Sequence, residues 1–120
     1  MSYVDGYLLP LPKKNVGAYR RMAAKAGKIW KEHGALDYKE CMGDEVKIKG
    51  FIPFTSAAKA KAGEKVVFAY VLFKSRKHRD LVNAKVMKDP RIAGMCDSKK
   101  MPFDCKRMAY GGFEVMVDPK

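Results

Sequence analysis

Few residue types in this 120-residue chain can do acid–base or nucleophilic chemistry: two histidines, three cysteines and one acidic–basic loop. His33 stands just before Gly34 at the end of an apolar periodic segment. There an imidazole can act as general acid or base, and equally as a C-terminal helix cap favoured by the helix dipole. His78, among Arg76, Lys77 and Arg79, reads as a surface residue. Met101-Pro102-Phe103-Asp104 followed by Arg107 would set a carboxylate and a guanidinium at a cavity mouth, where the arginine orients an acidic ligand. Alternatively, an Asp104–Arg107 contact locks a turn. Tyr7, Trp30, Phe68 and Tyr70 can line an aromatic ligand site, although core packing suits each of them too. Cys41 and Cys105 have basic neighbours, Lys39 and Lys106, that would favour a thiolate. No Ser/His/Asp order, phosphate loop, dinucleotide glycine pattern or paired-carboxylate motif is present.

Composition narrows the classes further. Cys41, Cys96 and Cys105 form no CxxC pair and are odd in number, so a disulfide framework is not expected. With two histidines to join them, no metal site is expected either, and no motif calls for a cofactor. The longest apolar run, Val66 to Phe73, is far short of the ~20 residues that span a bilayer. The N-terminus lacks the basic region and cleavage site of an export signal. A cytoplasmic protein without membrane attachment is therefore expected. The net charge of +12 is spread along the whole chain, which reads as a solvated basic surface rather than one polyanion track.

The elements that must position these residues follow from periodicity, and they fit one domain spanning residues 1–120. Residues 3–11 read as a strand ending at Pro12. From Asn15, a suitable N-cap, apolar residues recur at Val16, Tyr19, Met22, Ala23, Ala26, Ile29 and Trp30, the rhythm of an amphipathic helix stopped by Gly34. A strand follows over 35–42, with Leu36, Tyr38 and Met42 alternating against Asp37, Lys39 and Cys41. Residues 44–63 form a long connection able to hold a short helix. The strand over 65–73 is apolar on both faces. Ser75 caps a helix of weaker periodicity running to about Lys88, ended by Asp89-Pro90. A loop with Gly94, Pro102 and Asp104 leads to a last strand over 107–117, where Gly111-Gly112 suggests a bulge or a close backbone approach.

The order is βαββαβ, an α+β ferredoxin-like fold with two helices on one face of a four-stranded antiparallel sheet. The other face would carry Tyr7, Leu9, Phe68, Tyr70 and Leu72, too apolar to stay in water. Two occupants fit. A second copy would bury it sheet to sheet in a homodimer, leaving room for a small hydrophobic ligand. Alternatively, single-stranded RNA would stack its bases there: Phe68-Ala69-Tyr70-Val71-Leu72-Phe73 fits the last six places of the RRM third-strand pattern, Val66 and Val67 fail the first two, and Tyr7 would be the first-strand aromatic. An interaction protein without a pocket is a third possibility.

Several stretches carry a likeness to a known family. They are Asp5-Gly6-Tyr7 with Pro10 and Pro12, Glu32-His33-Gly34-Ala35, Val66-Val67-Phe68, Asn83-Ala84-Lys85 with Asp89-Pro90-Arg91, and Met101-Pro102-Phe103-Asp104 with Lys106-Arg107-Met108 and Tyr110-Gly111-Gly112-Phe113. Together they resemble the YbaA-like family of uncharacterised bacterial proteins, placed in the dimeric α/β barrel superfamily. The resemblance implies a ferredoxin-like protomer whose sheet faces that of a second copy. It implies no reaction and no catalytic residues. Superfamily members include cofactor-free monooxygenases, isomerase- and dehydratase-like enzymes and haem-handling proteins, an analogy at the level of fold. The chain departs from the family's more nearly neutral charge balance, which leaves room for a special partner. The expectation is a dimer that binds a small hydrophobic or aromatic ligand, with cofactor-independent catalysis open; the alternative is RNA binding by the basic surface and sheet aromatics.

Overall fold

The computed structural model describes residues 1–93 and 101–119. Its elements are β1 (Tyr3–Pro12), α1 (Val16–Glu32), β2 (Asp37–Met42), α2 (Phe54–Ala57), β3 (Glu64–Phe73), α3 (Arg76–Lys88) and β4 (Ala109–Glu114). Single 3-10 turns at Lys13–Asn15 and Cys105–Arg107 lead into α1 and β4. The expected loop positions Gly94, Cys96, Lys99 and Lys100 lie outside the described residues.

Helix ends follow local chemistry. Gly34 adopts φ +117°, the left-handed conformation that stops a helix at little cost in glycine. The Ser75 hydroxyl accepts the His78 backbone N–H at 3.1 Å, capping α3. Asn15 precedes α1 as expected but does not cap it; its side-chain amide donates to the Pro102 carbonyl at 2.8 Å, tying the helix start to the loop before β4.

The sheet order is β2-β3-β1-β4, and every neighbouring pair is antiparallel. β1 and β3 pair over ten residues, from Tyr3 opposite Phe73 to Pro12 opposite Glu64. Directly opposed residues share a face. One face therefore carries Tyr3, Asp5, Tyr7, Leu9 and Leu11 of β1 with Val67, Ala69, Val71 and Phe73 of β3. Ala26 and Ile29 of α1 with Val82 and Val86 of α3 pack on one end of it, and Tyr19 and Ala23 of α1 on the other.

Tyr7 and Leu9 are thus not on the open face, contrary to expectation. Tyr7 lies opposite Ala69 and Leu9 opposite Val67, so both point toward the helices. β1 is apolar on both sides, like β3, and alternation alone does not say which set turns inward. The open face instead presents Val4, Leu8, Phe68, Tyr70, Leu72 and Phe113, with Phe68 48% and Phe113 63% exposed. At its far end Val66 is buried where Gly43 and Val46 lie against it.

β4 holds an unbroken register from Ala109 opposite Leu8 to Glu114 opposite Tyr3, with no bulge at its two glycines. Gly112 serves a close approach: a Cβ there would overlap the buried Tyr3 ring, whereas nothing lies within 4 Å of one at Gly111. Tyr3 cannot swing aside freely, because Arg79 Nη2 donates to its hydroxyl at 3.1 Å. Gly112→Ala should therefore destabilise the protein by about 1–3 kcal/mol in urea denaturation. Gly111→Ala should be neutral or up to about 1 kcal/mol stabilising.

Candidate ligand site

Four residues form one line across the helix side of the sheet: Glu40 on β2, Ala69 on β3, Tyr7 on β1 and Tyr110 on β4, each opposite the next. The adjacent line is Tyr38, Val71, Asp5 and Gly112. The apolar core divides around the Glu40 line into one cluster centred on Val71, Phe73 and Ile29 and another centred on Leu9, Leu11 and Val67. Between the clusters the sheet presents a carboxylate, two phenols and the small methyl of Ala69.

Glu40 is held on both oxygens: Oε1 accepts from the Tyr19 hydroxyl at 2.6 Å and Oε2 from the Tyr38 hydroxyl at 2.5 Å. Burial pushes both phenols well above the ordinary tyrosine range, and the Glu40 carboxylate pushes them further. They stay protonated and act as donors. Tyr7 is raised in the same sense by burial and then by Asp5, Tyr110 and Glu40. Its ring stacks on Tyr110 at 4.9 Å between centroids.

Asp5 is fully buried. Its Oδ2 accepts from the Asn83 amide at 2.9 Å and from the Tyr110 hydroxyl at 3.1 Å. Asn83 Oδ1 in turn accepts from the Trp30 indole at 3.0 Å. Asp5 Oδ1 faces Arg79 Nε at 3.6 Å, an ion pair without a hydrogen bond, and neither atom has a hydrogen-bond partner among the described residues. The Arg79 guanidinium also covers the Tyr3 ring at 4.9 Å.

Beside the Glu40 line a groove of about 1050 Å³ opens between α1 and β2, walled by Tyr19, Ala23, Gly27, Tyr38, Glu40 and Met42. Gly27 lets the helix approach the sheet here, since a Cβ would come within 2.8 Å of the Tyr38 ring.

Of the four aromatic candidates, Tyr7 and Trp30 belong to this region, with Trp30 packed against Tyr38 at 6.1 Å. Phe68 and Tyr70 lie on the opposite face, where the Tyr70 hydroxyl donates to Asp37 at 3.3 Å. Asp5, Tyr19, Tyr38, Glu40, Asn83 and Tyr110 were not singled out by sequence. The available signal was period-two spacing: Asp5-x-Tyr7 and Tyr38-x-Glu40 each put a carboxylate and a phenol on one face of a strand.

His33, Asp104 and Arg107 do not gather. His33 Nε2 meets Asp89 Oδ2 at 2.9 Å, and Arg91 bridges Asp89 and Glu32, at 2.8 and 2.7 Å, so this cluster joins the C-terminal ends of α1 and α3. Arg91 first, then His33, holds the Asp89 carboxyl well below the usual range. Arg107 lies near the other end of α1, ~25 Å away by helix rise. It grips Glu64 with two hydrogen bonds of 2.7 and 2.8 Å and donates to the Lys59 carbonyl at 2.9 Å. The Asp104 side chain accepts the Lys106 backbone N–H at 2.9 Å, and its link to Arg107 is between backbones. His78 Nδ1 accepts the Lys74 backbone N–H at 3.0 Å.

Arg107 lowers the Glu64 carboxyl from 4.5 to about 2. A folded value below the unfolded one means that the pair stabilises the fold above pH 4.5 and loses that contribution as the pH falls toward 2. Urea midpoints should drop across this window, and Arg107→Met should show a smaller drop than the parent chain.

Among the described residues no group of three or more His, Cys, Asp and Glu is placed to hold a metal ion, and no helix is long and apolar enough to cross a membrane. The structure resembles "De novo designed protein Foldit4" with a TM-score of 0.47 and 7% identity, covering 96% of this chain and 99% of that one, a likeness too slight to bear on the fold. In sequence, the chain is 45% identical over 118 residues to "Uncharacterized protein YbaA" of Escherichia coli (strain K12), covering 98% of this chain and 99% of the relative. The protein of the same name from Shigella flexneri matches to the same extent. The sequence model described as "Protein of unknown function (DUF1428)" matches residues 2–105, and with these relatives it establishes that the chain belongs to the DUF1428 family.

Proposed function

We propose that the protein is a ferredoxin-like protomer that pairs with a second copy through its open sheet face, as a dimeric α/β barrel. In this reading it binds a small ligand with a planar apolar body and a hydrogen-bonding head in the groove between α1 and β2, beside Glu40. The strand order, antiparallel throughout, with α1 and α3 on one face, is what a split βαβ arrangement produces, and it supports the first part. The apolar side chains of Val4, Leu8, Phe68, Leu72 and Phe113 support the pairing, since burying them gains roughly 25 cal/mol per Å². The exposed thiol of Cys41 accords with a reducing, cytoplasmic setting.

The observation that carries the ligand reading is Glu40, clamped by two tyrosine hydroxyls beside a groove lined by apolar residues together with Arg20, Lys28, Lys31 and Lys39. Glu40 stands half-buried on the helix side of the edge strand β2, between the two phenols, where a carboxylate contributes little to packing. Each phenol donates its one hydrogen to Glu40, and the carboxylate keeps further lone pairs to accept from a ligand. That arrangement can orient a phenol, whose hydroxyl donates to Glu40.

RNA is the rival occupant of the open face, favoured by the exposed Phe68 ring beside Tyr70. On β1, however, that face offers Gly6 and Leu8 rather than Tyr7.

Calorimetric titration with p-cresol and 2-naphthol should show binding that falls at least tenfold in Glu40→Gln. Binding should also be blocked by Ala24→Trp, which fills the groove from an exposed position of α1, with far-ultraviolet circular dichroism unchanged. Absence of heat with both phenols, or full binding in folded Ala24→Trp, would overturn the ligand reading. Light scattering at micromolar concentration should give twice the chain mass; a monomer mass sinks the pairing. Salt-sensitive binding of oligouridylate, lost in Phe68→Ala, would favour RNA instead.

A further inference from the structure

The connection between β2 and β3 encloses a second concavity of about 610 Å³, near the Glu64 end of the sheet. Lys13, Lys47, Lys59, Lys61 and Lys65 line it. None of the five ammonium groups forms an ion pair with a carboxylate among the described residues. Of the two acidic residues in its wall, Glu64 is taken by both arms of Arg107, and only Asp44 is left to oppose them. The wall is therefore strongly positive and concave, a shape that concentrates its field on whatever enters.

The concavity is held by backbone contacts rather than by loose lysines alone. Lys13 N–H donates to the Gly63 carbonyl at 3.0 Å, Gly43 N–H to Val66 at 2.7 Å, Phe54 N–H to Val46 at 3.0 Å and Ala60 N–H to Thr55 at 2.9 Å. Lys59 has φ +54°, in the left-handed region that favours glycine, yet a lysine stands there. Its carbonyl accepts from Arg107, so one guanidinium both holds this strained lysine and neutralises Glu64. A backbone strained in a built, charged pocket is a pointer to function. Thr55 and Ser56 add hydroxyl donors to the same wall.

We propose that this concavity binds the phosphate of a small phosphorylated molecule, a phosphomonoester or a diphosphate, with Arg107 as a positioning residue. Lysine ammonium groups pair with phosphate as mobile point charges, and hydroxyls complete the donor set. The volume falls in the range of small-molecule pockets and has room for an organic body beside the phosphate. The basic residues beyond the concavity are dispersed along the sequence.

Inorganic pyrophosphate, titrated calorimetrically at low salt and again at about 0.2 M salt, tests the proposal. Single-site binding that weakens several-fold with salt is expected. Lys59→Gly keeps the left-handed backbone while removing the ammonium group; combined with Lys13→Ala it should weaken binding at least tenfold with the melting curve intact. Lys77→Ala with Lys85→Ala, on α3, should bind as the parent does. Arg107→Lys keeps the charge but loses the two-armed grip on Glu64, and it should weaken pyrophosphate several-fold. No binding at low salt, an equal loss in the α3 pair, or unchanged binding in the Lys13/Lys59 pair would overturn the site. Tighter binding of oligouridylate than of pyrophosphate, lost in that same pair, would make it an RNA surface and overturn the compact ligand.

Discussion

The ten-residue register between β1 and β3 decides which half of each strand meets the helices. Both strands are apolar on both sides, so hydrophobic burial discriminates weakly between the observed pairing and one slipped by a single residue. Such a slip turns every side chain to the other face. What distinguishes the two pairings is polar and steric. In the observed register Asp5 meets Asn83 and Tyr110, and Gly112 leaves space for the Tyr3 ring. Gly6 likewise passes beneath Phe113, where a Cβ would stand 3.2 Å from the ring. Slipped by one, Asp5 would leave its donors and Leu8 would replace Tyr7 at the centre of the helix side. Register is specified by the residues that fit only one way, not by those that are merely apolar.

The same constraint explains α3. Its weak periodicity arises because Arg79 and Asn83, one turn apart, hydrogen-bond inward to Tyr3, Asp5 and Trp30 between the apolar contacts of Val82 and Val86. An apolar pair at those positions would give a stronger amphipathic stripe, yet would leave the buried Asp5 carboxylate without its amide. Removing one member of a buried polar network is destabilising because the remaining members cannot return to water. The helix thus gives up some apolar burial to hold the carboxylate that fixes the register.

This also accounts for what was legible in the sequence. α1 announces itself by periodicity and by Gly34, and α3 by Ser75 and Asp89-Pro90, because caps and stops act through local backbone geometry. The positions of the strands were equally plain. The direction each β1 side chain faces is not, since it depends on partners some sixty residues away: the alternation of β1 allows either side, and the register turns Tyr7 and Leu9 toward the helices. Glu40 shares strand parity with Tyr38 and Met42, so its inward direction was present in the pattern; what hid it is that a charged residue in a strand ordinarily marks the wet face. His33 stands alone in the sequence and Arg107 beside Asp104, and their partners Asp89 and Glu64 are too distant in sequence to be read beside them.

Those partners bear on the meaning of the net charge. Among the acidic residues, Asp5, Glu32, Asp37, Glu64, Asp80 and Asp89 are in ion pairs, and Glu40 is held by tyrosines. Thirteen carboxylates are available to oppose twenty-five lysines and arginines, and many of them are committed to holding elements together. Arginine supplies most of their partners, through Arg79, Arg91 and Arg107, as its forked geometry favours. Lysine is left for the surface. The charge of +12 is consequently carried outward by flexible ammonium groups with few carboxylates beside them, and it becomes locally dense where the fold draws lysines together around a concavity, as between β2 and β3.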